Sequence, residues 1–164
     1  MKEEKNQNRR CPVCHMMINM DSFALEYLAC VYAFCSQQCR ERFEANPHLY
    51  IGMPGHPSPK QQGHELIKKR SLKLNQPLTE NQSRVITSDL ENMMGIKEVH
   101  IESDSLYITY DLMQATVEQI EAAIEKTGEK LVSGLGEKLK RAFIYFLEET
   151  ELDNLEQPGN EYRH

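Results

Sequence analysis

The sequence predicts an α+β chain: a small four-cysteine metal domain, then a β-α-β-β-α-β domain with one extra helix at its C-terminal end. Three observations predict it. Four of the five cysteines fall in two close pairs, Cys11/Cys14 and Cys35/Cys39. A stretch rich in glycine and proline, GMPGHPSPKQQG at 52–63, forbids a regular helix or central strand and reads as a linker. Beyond it, two helix capping boxes are interleaved with strand-like alternation.

Composition narrows the function classes. The chain has 164 residues, 40% apolar and 27% charged, ordinary for a globular protein and too apolar for a disordered one. Its longest apolar run, AFIYFL at 142–147, falls far short of the ~20 residues a membrane helix needs, so no membrane insertion is expected. The start, MKEEKNQNRR, lacks the apolar core of a secretory signal, so a cytoplasmic protein is expected. There, an odd count of five cysteines favours metal ligands or reactive thiols over disulfides. Net charge is −6, and the surplus belongs wholly to the second part: residues 1–57 carry six basic and six acidic side chains, residues 58–164 thirteen and nineteen. Such a field repels phosphate backbones, so no nucleic-acid partner is expected.

The elements follow in order. SFALEYLACVYAFC at 22–35 can form a two-stranded hairpin turning around Leu28 to Cys30. Ser36 can cap a helix over Gln37–Ala45, which puts Phe43 on the same face as Cys39, and Asn46-Pro47 ends it. Leu72 and Leu74 mark a short strand. Thr79 and Gln82 form a capping box before a helix with Val85, Ile86, Leu90, Met93 and Met94 at helical spacing, stopped by Gly95. Ile96–Ile101 and Leu106–Tyr110 read as strands joined by a tight turn, with Leu106, Ile108 and Tyr110 on one face. A second capping box, Thr116 and Gln119, opens a helix with Val117, Ile120, Ala123 and Ile124 buried, ending at Gly128. Residues 129–132 can supply a fourth strand, and the order is that of ferredoxin-like domains. Leu135, Leu139, Ala142, Phe143, Phe146 and Leu147 then form the apolar face of an appended helix, expected to cover the ferredoxin-like sheet or to form a homodimer seam. The chain is thus expected to divide into a disordered N-terminus (1–8), a metal-binding domain (9–52), a linker (53–68), the ferredoxin-like domain (69–133), an amphipathic helix (134–152) and a flexible tail (153–164).

C-x-x-C at Cys11 and Cys14 has the spacing of a zinc knuckle. Cys39 lies at a helix start, where free N–H groups and the dipole favour thiolate. Four thiolates suit a closed tetrahedral site for Zn(II). Arg9, Arg10, Arg40 and Arg42 beside them could offset the cluster's charge or form an ordinary solvated basic face. If residues 28–35 are one strand, Cys30 faces away from Cys35, so it reads as a buried apolar thiol rather than a ligand. Met16, Met17 and Met20 read as packing under the knuckle, although thioethers beside thiolates would tilt the site toward Cu(I). Histidines 48, 56, 64 and 100 read as surface residues.

These residues carry a family resemblance. The runs CPVCHMM and FCSQQCRERFEANPHLY, with Phe43 and the Asn-Pro-x-x-Tyr50 ending, resemble the YHS or TRASH domain of heavy-metal transport and resistance proteins. The resemblance implies a treble-clef-like unit over residues 9–52 with Cys14, Cys35 and Cys39 as metal-binding thiolates and Cys11 as the fourth, and it brings in a metal-transporting ATPase or another metal-handling protein as partner. His15 departs from it, standing where the knuckle usually has Gly; the expectation is a bulky residue tolerating a turn. The second domain resembles the heavy-metal-associated (HMA) module in element order, but its first loop reads NQPLTENQS, without the cysteines of that module's metal loop.

No phosphate loop, nucleophile elbow or placed carboxylate pair is evident, and four cysteines close the shell that a zinc hydrolase would leave open, so no enzyme is expected. The expectation is a cytosolic protein of heavy-metal handling, binding one Zn(II) or Cu(I) for trafficking, sensing or resistance. The competing reading is an interaction protein whose zinc is purely structural, because some 45 residues cannot bury a sufficient core alone. A redox-active dithiol at Cys11 and Cys14 is a third.

Overall fold

The computed structural model describes residues 9–18 and 23–157. Two short antiparallel pairs come first: β1 (Arg9–Arg10) with β2 (Met17–Ile18), and β3 (Leu25–Tyr27) with β4 (Cys30–Tyr32). The second pair turns through Leu28 and Ala29, both at positive φ (49° and 58°), the type I′ geometry that matches strand twist but is costly for residues with a Cβ. Helix α1 (Gln37–Ala45) starts where Ser36 Oγ accepts from Cys39 N, and Pro47–Leu49 form a single 3-10 turn after it. Phe43, fully buried, is the hub of this part, with the rings of Tyr27, Tyr32, Phe34 and Tyr50 around it at 5.0–6.3 Å.

Residues 52–63, expected as a linker, fold into turns. Met53 and His56 form an isolated bridge, Ser58 is buried, and Lys60 N donates to Leu49 O.

The remainder is a split β-α-β arrangement. Strands β5 (Ile67–Lys73), β6 (Ile96–Glu102) and β7 (Ser105–Asp111) lie in the order β5-β7-β6, all neighbours antiparallel. Helices α2 (Glu80–Glu91) and α3 (Val117–Lys126) each begin with the reciprocal side-chain and backbone bonds of a capping box, at Thr79/Gln82 and Thr116/Gln119. The fourth strand is reduced to a Leu74–Leu131 bridge flanked by Val132 N to Lys73 O and Asn75 N to Lys130 O, which adds it on the far side of β5. The resulting order, with every neighbour antiparallel, is ferredoxin-like. Leu72, Leu106, Ile108 and Tyr110 bury one face of the sheet with Ile86, Leu90, Val117, Ile120 and Ile124. Two helix residues sit differently from the sequence reading: Val85 is exposed, and Met93 and Met94 lie past the end of α2, in the turn that Gly95 closes at φ 84°.

The largest departure is α4 (Leu135–Glu156). The sequence puts its packing face on the Leu/Phe stripe, yet Leu135, Leu139, Phe143, Phe146 and Leu147 are all exposed. The face turned inward carries Ile144, Tyr145, Glu148 and Leu152. Glu148 decides this orientation. Its buried carboxylate accepts from Tyr110 Oη on β7 and from Val117 N at the start of α3 (2.8 Å), with Arg70 Nη2 of β5 at 3.9 Å. An amide donor at a helix start and a guanidinium are what an ionised carboxylate needs in order to be buried. These bonds set α4 beside α3, on the helical side of the sheet, rather than across its open face.

A second buried acid is less well supplied. Glu121 accepts from Tyr145 Oη, but its other oxygen lies 3.9 Å from Arg141 Nε with no hydrogen bond, and burial pushes its pKa up to about 7. A raised carboxyl pKa means that folding favours the protonated form. Its contribution to stability is therefore full below the unfolded value near 4.5 and is lost as pH rises through about 7. Glu121→Gln is expected to stabilise the chain by about 2 kcal/mol at pH 8 and to be nearly neutral at pH 4.5, measured by urea denaturation across that range.

Candidate metal centre

The four cysteines of the two pairs meet at one point. Cys11 and Cys14 belong to the loop between β1 and β2, closed by Cys11 N to Met16 O and by His15 N to Cys11 O, both 2.8 Å. Cys35 follows β4, and Cys39 lies in the first turn of α1. Their Sγ atoms all lie within 4.8 Å of one another, with Cys14 to Cys35 at 3.4 Å and Cys35 to Cys39 at 3.5 Å. A tetrahedral ion with Zn–S bonds near 2.3 Å would separate its sulfurs by about 3.8 Å, so the donor set fits a tetrathiolate.

Burial is uneven: Cys11 and Cys39 are fully buried, Cys14 and Cys35 half-buried. Four thiols this close cannot all ionise without a cation among them. Hydrogen bonds from Cys14 and Cys39 hold the Cys11 thiol far below its ordinary pKa, while those same bonds, with burial, push Cys14 and Cys39 up. Backbone N–H groups of Cys14 and Cys35 also point at the Cys11 sulfur and lower its pKa further. Two of the flanking arginines are engaged elsewhere: Arg40 pairs with Glu44 at 3.0 Å, and Arg9 Nη1 donates to Val31 O.

His15 adopts φ 63°, the left-handed conformation that a knuckle glycine would take freely, and its side chain is exposed. Its ring is not among the converging donors, so the bulky residue simply tolerates the turn.

Several side chains differ from expectation. Cys30 is exposed rather than buried, because β4 is only three residues long and Cys30 is its first residue, directly after the hairpin turn. Met16 and Met17 are exposed rather than packed under the knuckle, since Val13 and Ile18 fill the interior; Met20 lies outside the described residues. His48 is half-buried, its Nε2 bonded to Tyr27 Oη at 2.9 Å and its Nδ1 enclosed without a partner.

What sequence reasoning missed is how firmly this site is tied to the sheet. Gln38, next to Cys39, donates through Nε2 to Met94 O (2.8 Å) and Gln114 O (2.9 Å), and Gln119 Nε2 returns a bond to Gln38 O. Gly95 is required there, since a Cβ would meet Gln114 Cβ at 2.6 Å. Tyr50 Oη donates to Met113 O. Asn46 Nδ2 donates to Asp153 and Glu156 of α4, both at 2.7 Å, and His48 N donates to Glu156. Local sequence pattern carries no signal for such contacts.

No protein-family model matches the chain, and no curated protein matches it. Among solved structures, it is similar to the CsoZ metallochaperone, with 26% identity over 42% of this chain and 100% of that one, at a TM-score of 0.39. It is also similar to the N-terminal soluble domains of Bacillus subtilis CopA (18%, over 42% of this chain and 48% of that one, TM-score 0.40). A third similarity is to oxidized MerP from Ralstonia metallidurans CH34, at 12% identity over 41% of this chain and 96% of that one, with a TM-score of 0.38.

Proposed function

We propose that this chain binds one soft metal ion through the thiolates of Cys11, Cys14, Cys35 and Cys39, as a cytosolic, non-enzymatic protein of heavy-metal handling. Zn(II) is the first candidate and Cu(I) the second, in line with the YHS/TRASH resemblance of residues 9–52. One observation carries the reading: four Sγ atoms within 4.8 Å of one another, two of the cysteines fully buried and two half-buried. The half-buried edge matters because transfer proceeds one thiolate at a time. An incoming thiolate displaces Cys14 or Cys35 while Cys11 and Cys39 keep hold, and the displaced sulfur takes up a proton from water. The partner would be a protein that offers such a thiolate, a metal-transporting ATPase being one.

A second reading has a specific observation behind it. The helix that carries Cys39 also carries Gln38, so a permanently held zinc would fix the docking on the sheet and serve an adaptor. Elemental analysis of the purified chain followed by competition with calibrated Zn(II) and Cu(I) chelators separates the two. About one ion per chain that exchanges within minutes supports handling. A zinc that neither leaves nor is displaced by copper overturns handling in favour of the structural role, and a chain that retains no ion overturns both.

A further inference from the structure

The stripe on α4 is the largest feature that the metal site leaves unused. Leu135, Leu139, Phe143, Phe146 and Leu147 are 77%, 64%, 61%, 62% and 44% exposed along one face of a helix whose opposite face is anchored by Glu148 and Leu152. An apolar stripe of this length on a helix already packed on its other side marks an interaction surface. The three segments outside the described residues, MKEEKNQN, NMDS and PGNEYRH, contain no Leu, Ile, Val or Phe.

Charge selects the occupant. Lys138 and Glu149 are both exposed and form no ion pair among the described residues. They stand eleven positions apart, so at about 100° per residue they lie within about 20° of each other, on one edge of the stripe. Lys138 near the amino end and Glu149 toward the carboxyl end also run against the helix dipole, an arrangement that an isolated helix disfavours. An oppositely directed copy of the same helix resolves this.

We propose that α4 pairs antiparallel with α4 of a second copy of this chain, about a two-fold axis passing beside Phe143. In that register Lys138 meets the partner's Glu149, and Glu149 the partner's Lys138, giving two equivalent ion pairs at the edge of a seam in which Leu139 packs on the partner's Phe146 and Leu147. A parallel pairing would instead bring like charges to the same level. The seam is independent of the cysteines.

Sedimentation velocity of the metal-loaded full chain at about 1 to 100 µM tests this. Wild type is expected to dimerise, and Phe143→Glu, at an exposed position, to leave a folded monomer by circular dichroism. Lys138→Glu should weaken the dimer about tenfold, and adding Glu149→Lys should restore it to near the wild-type level. A wild-type monomer throughout the range, or a dimer untouched by Phe143→Glu, overturns the seam. Loss without rescue in the double charge reversal overturns the antiparallel register.

Discussion

Cys39→Ala is expected to abolish metal retention, from about one equivalent to under about 0.1, and to unfold the segment that carries the other three cysteines. The sulfur removed is fully buried beside Phe43, so the loss opens the aromatic hub as well as the donor set. The effect should travel further than the site. With α1 disordered, the bonds from Gln38 to Met94 and Gln114 and from Tyr50 to Met113 are lost, at about 1 kcal/mol each. The sheet should then melt several degrees lower. Metal content by mass spectrometry and a thermal melt followed at both parts of the chain check this. Cys30→Ser, at an exposed position outside the cluster, should keep the metal.

Glu148→Ala should cost about 3 kcal/mol of unfolding free energy, because it strands three partners at once. Tyr110 Oη and the Val117 amide lose their acceptor, and the half-buried Arg70 loses its nearest carboxylate. Glu148→Gln, which keeps acceptor capacity but not charge, should cost roughly half as much. Urea denaturation measures both. Metal content should stay near one equivalent, since Glu148 touches none of the cysteines, and a variant as stable as wild type would mean that α4 is held by Leu152 and its apolar neighbours alone.

Features set by near neighbours in the chain were legible from sequence. Ser36, Thr79 and Thr116 cap their helices as the residues three positions on require, and strict alternation put Leu106, Ile108 and Tyr110 inside. The cysteine cluster was legible for a related reason: C-x-x-C closes a turn locally, and Cys35 and Cys39 are brought round by one short hairpin and one helix turn. Legibility ended where burial is decided at a distance. Periodicity chose the apolar stripe of α4 as its inner face, but the inner face is set by Glu148 reaching Arg70, Tyr110 and Val117, two strands and another helix. Cys30 was misplaced for a different reason: the parity argument assumes a continuous strand, and β4 is only three residues long. Met16 and Met17 were expected to fill gaps under the knuckle, but Val13 and Ile18 already occupy that interior.

The central claim, that one ion sits among Cys11, Cys14, Cys35 and Cys39, is tested most directly by X-ray absorption at the edge of the bound metal in the purified full chain. For zinc, four sulfur neighbours at about 2.3 Å are predicted, with the sulfur count falling to three in Cys14→Ser. A first shell dominated by nitrogen or oxygen, or one unchanged by Cys14→Ser, would contradict it.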